Sequence, residues 1–338
     1  MRHVRGSVSG LIFVLIAVVT CLAVPTKVWS QQFRIKAGHV SGTDFVYQAG
    51  FEYFGREIAK ATDGRVKVDV FPASQLGDEL QMIEGARLGT VQMLVTSTAP
   101  LSQFVPECDL LNLPFLFEGY QTGYKVMDGS IGAEFAQLIE AKTGLKFLGW
   151  WSAGMRNVYS KKGPVQSLSD LANLKIRVME SKTEIATFKA FGAAPTPMPF
   201  SEVYTSLQTG VIDAAENDPI SYLAVKHYEV APYYSLTGHS NATYNRAVLM
   251  SGQFFNRLPK DIQDAVVRVM KDTVAFERNE YERRADDALK TLEQRGVKVV
   301  KVDQSQLRAK AKGVWDETVQ RLGPKGKELL DKILAASR

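Results

Sequence analysis

Cysteine is almost missing from this chain of 338 residues, which has only Cys21 and Cys108. Cys21 lies in an N-terminal segment that reads as a removable leader. The remainder then has one thiol and closes no internal disulfide. A single cysteine without Cys or His neighbours at ligand spacing gives no basis for structural zinc. The three histidines beyond the leader, His39, His227 and His239, are scattered. No Gly-rich phosphate loop, Gly-x-Ser-x-Gly elbow or His-Glu-x-x-His motif occurs, so no catalytic residue, cofactor or metal ligand is assigned. No apolar run beyond the leader approaches the ~20 residues that a membrane span needs.

A strong charge of one sign is also missing. The formal balance is +5, and loss of Arg2, Arg5 and Lys27 with the leader brings it to +2. A chain so near neutrality has no general attraction for nucleic acid or anionic lipid. Selection of an anion must come from a few placed cations.

The leader has the anatomy of a secretory signal peptide over residues 1–30. Arg2 and Arg5 precede the apolar run Leu11 to Val24, and Val28 and Ser30 are small-residue positions before Gln31. Cleavage there predicts a soluble periplasmic protein. More than 300 residues then remain, enough for two lobes.

Strands alternate with helices along the chain. Alternation predicts strands over 33–37 and 66–71, and a third over 91–95. Helical spacing covers Tyr47 to Thr62 and Glu79 to Leu88. The order repeats, with strands over 145–151, 174–178 and 211–215 and helices over 181–190 and 201–209. Two successive α/β units predict two lobes around a central cleft. Neither proline nor glycine occurs between Pro259 and Gly296. One helix of ~50 Å there would brace both lobes; the alternative is two helices with a kink near Arg278 to Arg283.

One cation stands out. Leu174, Ile176 and Val178 should face the core, so Arg177 should emerge on the opposite face near the strand's carboxyl end, where open α/β sheets place ligands. Its planar fork suits a carboxylate.

Four segments then resemble the solute-binding proteins of TRAP transporters. They are Phe71-Pro-Ala-Ser-Gln-Leu-Gly-Asp78, Leu174 to Ser181, Ala194-Pro-Thr-Pro-Met-Pro-Phe-Ser-Glu-Val-Tyr204, and Leu207-Gln-Thr-Gly-Val-Ile-Asp-Ala-Ala-Glu-Asn217. The resemblance extends over the whole chain beyond the leader. It implies an α/β fold of two lobes with a hinge, a central cleft and a long helix spanning both. The lobes would be 31–153 plus 243–282, and 154–242 plus 283–338. It implies no enzyme but a monomeric receptor that captures a small organic acid by its carboxylate and passes it to small and large membrane subunits.

Among site residues the resemblance implies that Arg177 grips the carboxylate, Asn217 donates an amide hydrogen bond to it, Arg156 supports it and Phe200 packs on the ligand. Glu79, Ser97, Thr98 and His39 would supply polar contacts from the first lobe, where Asp44 also faces the cleft. Glu216 and His239 would link Arg156 to closure. Met179 and Ala214 depart from the family pattern, where proline and glycine are common. The polar first-lobe residues favour a sugar acid such as a uronate. Phe200, Trp150, Trp151, Tyr233 and Tyr234 would equally suit an aromatic hydroxy acid, and a further cation in the cleft would admit a C4-dicarboxylate. The rival from another class, a periplasmic hydrolase or isomerase, needs a nucleophile–base pair that no recognisable spacing provides.

Overall fold

The computed structural model describes residues 32–241 and 244–338. The leader at 1–30 lies outside the described residues. Strands are β1 (Phe33–Gly38), β2 (Val66–Phe71), β3 (Met93–Ser97), β4 (Lys146–Trp151), β5 (Met155–Ser160), β6 (Lys175–Val178), β7 (Ala194–Pro197), β8 (Ala214–Asn217), β9 (Tyr233–Asn241), β10 (Arg246–Met250) and β11 (Lys298–Lys301). They form two sheets, ordered β2-β1-β3-β10-β4 and β11-β9-β5-β8-β6-β7. In the first, β1 runs parallel to β2 and β3, while β10 lies antiparallel to β3 and β4. In the second, β6 is parallel to β7 and β8, and β5 is antiparallel to β8 and β9.

The expected elements form with small shifts. The helix over 79–88 starts where Asp78 caps it: its carboxylate accepts from the Gln81 amide while the Gln81 side chain returns to the Asp78 amide. Such reciprocal caps satisfy N–H groups that the first turn leaves unpaired. The third strand begins at Met93 rather than Val91, and β8 begins at Ala214 rather than Val211. In both cases the preceding apolar residues complete the turn out of a helix. Val91 and Ile212 are buried beneath their helices instead.

The glycine-free segment forms one unbroken helix, Lys260–Gln294, of 35 residues, about 52 Å at 1.5 Å per residue. The kink near Arg278 to Arg283 does not occur. Arg278 is held there by a fork onto Asp128 at 2.7 and 2.9 Å and by the Trp150 carbonyl at 3.0 Å. Ile262, Val266, Val269 and Met270 pack into the core of the first sheet. Leu292 packs with Tyr159, Leu207 and Tyr234 in a core of the second. The helix therefore braces both sheets. The C-terminal helix Ser305–Ala336 does likewise, broken at Gly323. Its Leu307 joins a core of the second sheet, whereas Leu329, Leu330 and Ile333 join a core of the first. Residues assigned from sequence to the second lobe thus end against the first.

The chain passes between sheets directly from β4 to β5 through Ser152, Ala153 and Gly154. Gly154 has φ +73°, and a Cβ built there would lie 1.7 Å from the Tyr281 hydroxyl of the long helix. That hydroxyl donates to Asp218 Oδ1 at 3.1 Å, tying the helix to the second sheet. Gly154→Ala combines left-handed backbone strain with overpacking and is expected to destabilise by about 2–4 kcal/mol, measured as a lower urea midpoint with unchanged slope.

Candidate functional site

The edges of the two sheets that face each other carry the polar side chains. Arg177 and Asn217 end the parallel strands β6 and β8, and Arg156 begins the antiparallel β5 beside them. Opposite them, Ser97 ends β3, Arg246 begins β10 in register with Ser97, and Glu79 opens the helix after β2. Strand polarity alone brings these ends together, as expected for ligand clefts of α/β proteins. They line a cavity of about 30 Å³, with Val40, Ser41, Tyr47, Met179, Phe200 and Ser221.

Beneath this cavity lies a buried ion pair. Arg156 Nε bonds Glu216 Oε2, and Nη2 donates to Oε1 at 2.6 Å and to the Glu216 carbonyl at 3.0 Å. Arg156 Nη1 donates to Asn217 Oδ1 at 2.9 Å. The same oxygen accepts from the Asp218 amide at 3.0 Å. Two donors on Oδ1 fix the orientation of the Asn217 amide, leaving Nδ2 as its donor towards a ligand. Burial alone would raise the Glu216 carboxyl, but the charge and hydrogen bonds of Arg156, with His239 Nε2 3.6 Å away, outweigh it and hold it down at about 2. Burial works against Arg156's charge too, yet Glu216 raises its pKa further.

Arg177 is spent differently. Its Nε donates to the Met198 carbonyl at 2.9 Å, and its guanidinium sits 5.8 Å from the Phe200 ring centre. Glu216 Oε1 is 4.0 Å from Nη1, too far for a hydrogen bond. Both Nη groups thus remain for a planar acceptor. Arg177 and Asn217 Nδ2 make this end of the cavity a donor-only surface, complementary to a carboxylate.

The other residues named from sequence divide. Glu79 and Ser97 line the cavity, but Thr98 and His39 do not. Thr98 Oγ1 turns away to Asn112 Oδ1 at 2.8 Å. His39 is wholly buried, with Nε2 3.0 Å from Gln48 Oε1, and burial lowers its pKa to about 4 despite that bond. It packs edge-on to Tyr47 and face-on to Phe51 as a neutral core group. Asp44 does not line the cavity either; its carbonyl accepts from Arg284 Nη1 at 2.7 Å. Of the aromatic residues expected from sequence at the ligand, Phe200 lines the cavity, beside Tyr47. Trp150, Trp151 and Tyr234 are core residues, and Tyr233 meets Lys298. Met179 lines the cavity, whereas Ala214 is packed beneath it.

Arg246 is the cation that sequence reading overlooked. Arg246-Ala247-Val248-Leu249-Met250 has an arginine at the head of a continuous apolar run, a weaker signal than the alternation around Arg177. Its Nε donates to the Tyr47 hydroxyl at 2.9 Å and Nη1 to Asn245 Oδ1 at 2.6 Å.

Behind the ion pair, Glu184, Glu216 and His239 bring ligand-type atoms within 4.8 Å of one another, the one such group among the described residues. They do not suit a metal ion, because Arg156 occupies both Glu216 oxygens and Arg177 lies beside them. Burial, followed by the Glu216 charge, raises the Glu184 carboxyl to about 8. Glu184 therefore binds its proton more tightly folded than unfolded. The stability it contributes is complete below about 4.5 and is lost as pH rises to about 8. Glu184→Gln, which cannot titrate, should flatten the fall in stability from pH 5 to 8 by a few kcal/mol, because each pH unit in that window is worth roughly 1.4 kcal/mol. Urea unfolding at a series of pH values reads this difference.

Residues 37–322 match the family model described as bacterial extracellular solute-binding protein, family 7. The chain is 30% identical to the C4-dicarboxylate-binding periplasmic protein of Rhodobacter capsulatus, covering 98% of this chain and 95% of that one. A TRAP periplasmic solute-binding protein of Sulfitobacter with bound β-D-galacturonate superposes with a TM-score of 0.85 at 32% identity, covering 89% of this chain and 99% of that one. The sugar acid binding protein of Advenella mimigardefordensis, in complex with galactonate, gives 0.86 at 29% identity, with coverage of 90% and 99%.

Proposed function

Because the chain belongs to family 7 of the bacterial extracellular solute-binding proteins, we propose that it is the periplasmic receptor of a TRAP-type transporter for a hydroxylated monocarboxylate, a sugar acid of the uronate or aldonate kind. The observation that carries this reading is the donor-only surface made by the Nη groups of Arg177 and Nδ2 of Asn217. Arg156 acts behind it: its donors serve Glu216 and Asn217, so it orients the amide and adds positive potential instead of holding the ligand in its own fork. Galacturonate and galactonate in the similar structures support a sugar acid over the aromatic hydroxy acid, for which Trp150, Trp151 and Tyr234 of the expected ring contacts are in the core.

Capture proceeds by hinge closure. A cavity of about 30 Å³ has room for about two waters, so a sugar acid enters with the lobes apart. Closure then brings Gln103 Nε2 to the Glu180 carbonyl at 3.0 Å and Arg284 to the Asp44 carbonyl at 2.7 Å, contacts that bridge the two lobes. The closed form docks on small and large membrane subunits, which carry the acid inward. The leader at 1–30 delivers the chain to the periplasm, where it acts as a monomer and transforms nothing.

Thermal unfolding of the chain from Gln31, with D-galacturonate, D-glucuronate, D-galactonate and succinate, tests this reading. A hundredfold excess of a true ligand over its dissociation constant stabilises by about 2.7 kcal/mol. A sugar acid is expected to raise the midpoint. Arg177→Ala should abolish that shift while leaving the unliganded midpoint within about 1 kcal/mol of wild type, because Arg156 still neutralises Glu216. A shift that survives Arg177→Ala would refute the assigned grip.

A further inference from the structure

The first-sheet end of the cavity is not another carboxylate grip. Glu79 and Arg246 line it together. Glu79 Oε1 is saturated: it accepts from the Ser97 amide, from Ser97 Oγ at 2.8 Å and from Thr96 Oγ1 at 3.2 Å. Three donors on one oxygen suit a carboxylate and leave Oε2 as an acceptor. Arg246 is committed at Nε and Nη1 to Tyr47 and Asn245, which leaves Nη2 without a hydrogen-bond acceptor among the described residues. This end therefore presents one acceptor-only and one donor-only group.

We propose that Glu79 and Arg246 form a hydroxyl-reading pair that selects acids with a single carboxylate and a neutral hydroxylated tail, and rejects diacids of the same length. The inference rests on the carboxylate grip at Arg177. A hydroxyl both donates and accepts, so it satisfies Oε2 of Glu79 and Nη2 of Arg246 together. A second carboxylate only accepts. It would pair with Arg246 but face the Glu79 anion inside a closed cleft largely shut off from bulk solvent, where like charges are poorly screened. A protonated amine fails in the opposite sense, against Arg246.

Charge balance leads to the same answer. The cavity and the ion pair under it hold three guanidiniums, Arg156, Arg177 and Arg246, against two carboxylates, Glu79 and Glu216. Burial shifts the other buried acids nearby towards their neutral forms. Burial above all raises Glu184 and Glu277 to about 8. It also raises Asp218, which accepts hydrogen bonds from Ser221 and Tyr281. One surplus positive charge matches one ligand carboxylate. A diacid leaves a buried surplus of negative charge, which is costly unless paired.

D-galactonate and galactarate make the test, because they share an open six-carbon chain and differ only in a terminal hydroxymethyl or carboxylate. Calorimetric titration of the chain from Gln31 should give galactonate at least about tenfold tighter binding than galactarate. Glu79→Gln, which removes the anion at constant shape, should cut that ratio by about tenfold or reverse it. Arg246→Gln should move the ratio the other way while weakening both acids, so it keeps the test decisive if the first variant misfolds. A purely structural role would change both affinities alike. Galactarate binding as tightly as galactonate in wild type, or variants that leave the ratio unchanged, would overturn the selection rule even where Arg177→Ala still abolishes binding. Loss of dependence on Arg177 instead overturns the carboxylate grip, and the selection rule with it.

Discussion

The buried pair of Arg156 and Glu216 is the interaction on which the rest of the site depends. Both side chains are essentially without solvent contact, so each is tolerable only because the other is present. From this pair the geometry extends outward. Arg156 fixes the Asn217 amide, and the neutralisation of Glu216 leaves Arg177 free to turn its fork into the cavity. Had Glu216 paired with Arg177, the cleft would have lost the free fork proposed to grip a carboxylate and gained a buried, unmatched Arg156. Removing one partner of such a pair typically costs about 3–5 kcal/mol, enough to make this pair a constraint on the whole second sheet.

The braces set how the halves of the site meet. Tyr281 on the long helix reaches Asp218, the neighbour of Asn217, and Gly154 leaves room for its hydroxyl. Arg278 one turn earlier holds Asp128 and the end of β4. Thus the helix that packs on the first sheet also touches Asp218, next to the Asn217 amide proposed to face the ligand in the second. A cation in this cleft gains strength from the same dryness that makes an unpaired charge there expensive. Recognition and exclusion of wrong ligands share one origin.

Much of this was legible in sequence because periodicity reports burial. Arg177 was identifiable as an arginine opposite the core-facing residues of an alternating strand, near its carboxyl end, and the long helix as a stretch free of proline and glycine. Arg246 heads a continuous apolar run without that alternation, and a single strand cannot tell that its first residue meets Ser97 across an antiparallel pair made by a distant segment. The pairing of Arg156 with Glu216 is similarly invisible locally, since it forms between neighbouring strands 60 positions apart. His39 follows β1 and Thr98 opens the short helix after β3, yet their side chains point into packing rather than the cleft. The tryptophans were misplaced for a related reason: large aromatic surface is most valuable in the core, and Trp151 packs there against Phe51 and Tyr47.

The most direct measurement is a crystal structure of the chain from Gln31 with D-galactonate bound. The account predicts the ligand carboxylate on the Nη groups of Arg177 and Nδ2 of Asn217, with its terminal hydroxyls between Glu79 and Arg246. A carboxylate found against Arg246, with the hydroxyls at Arg177, would contradict it.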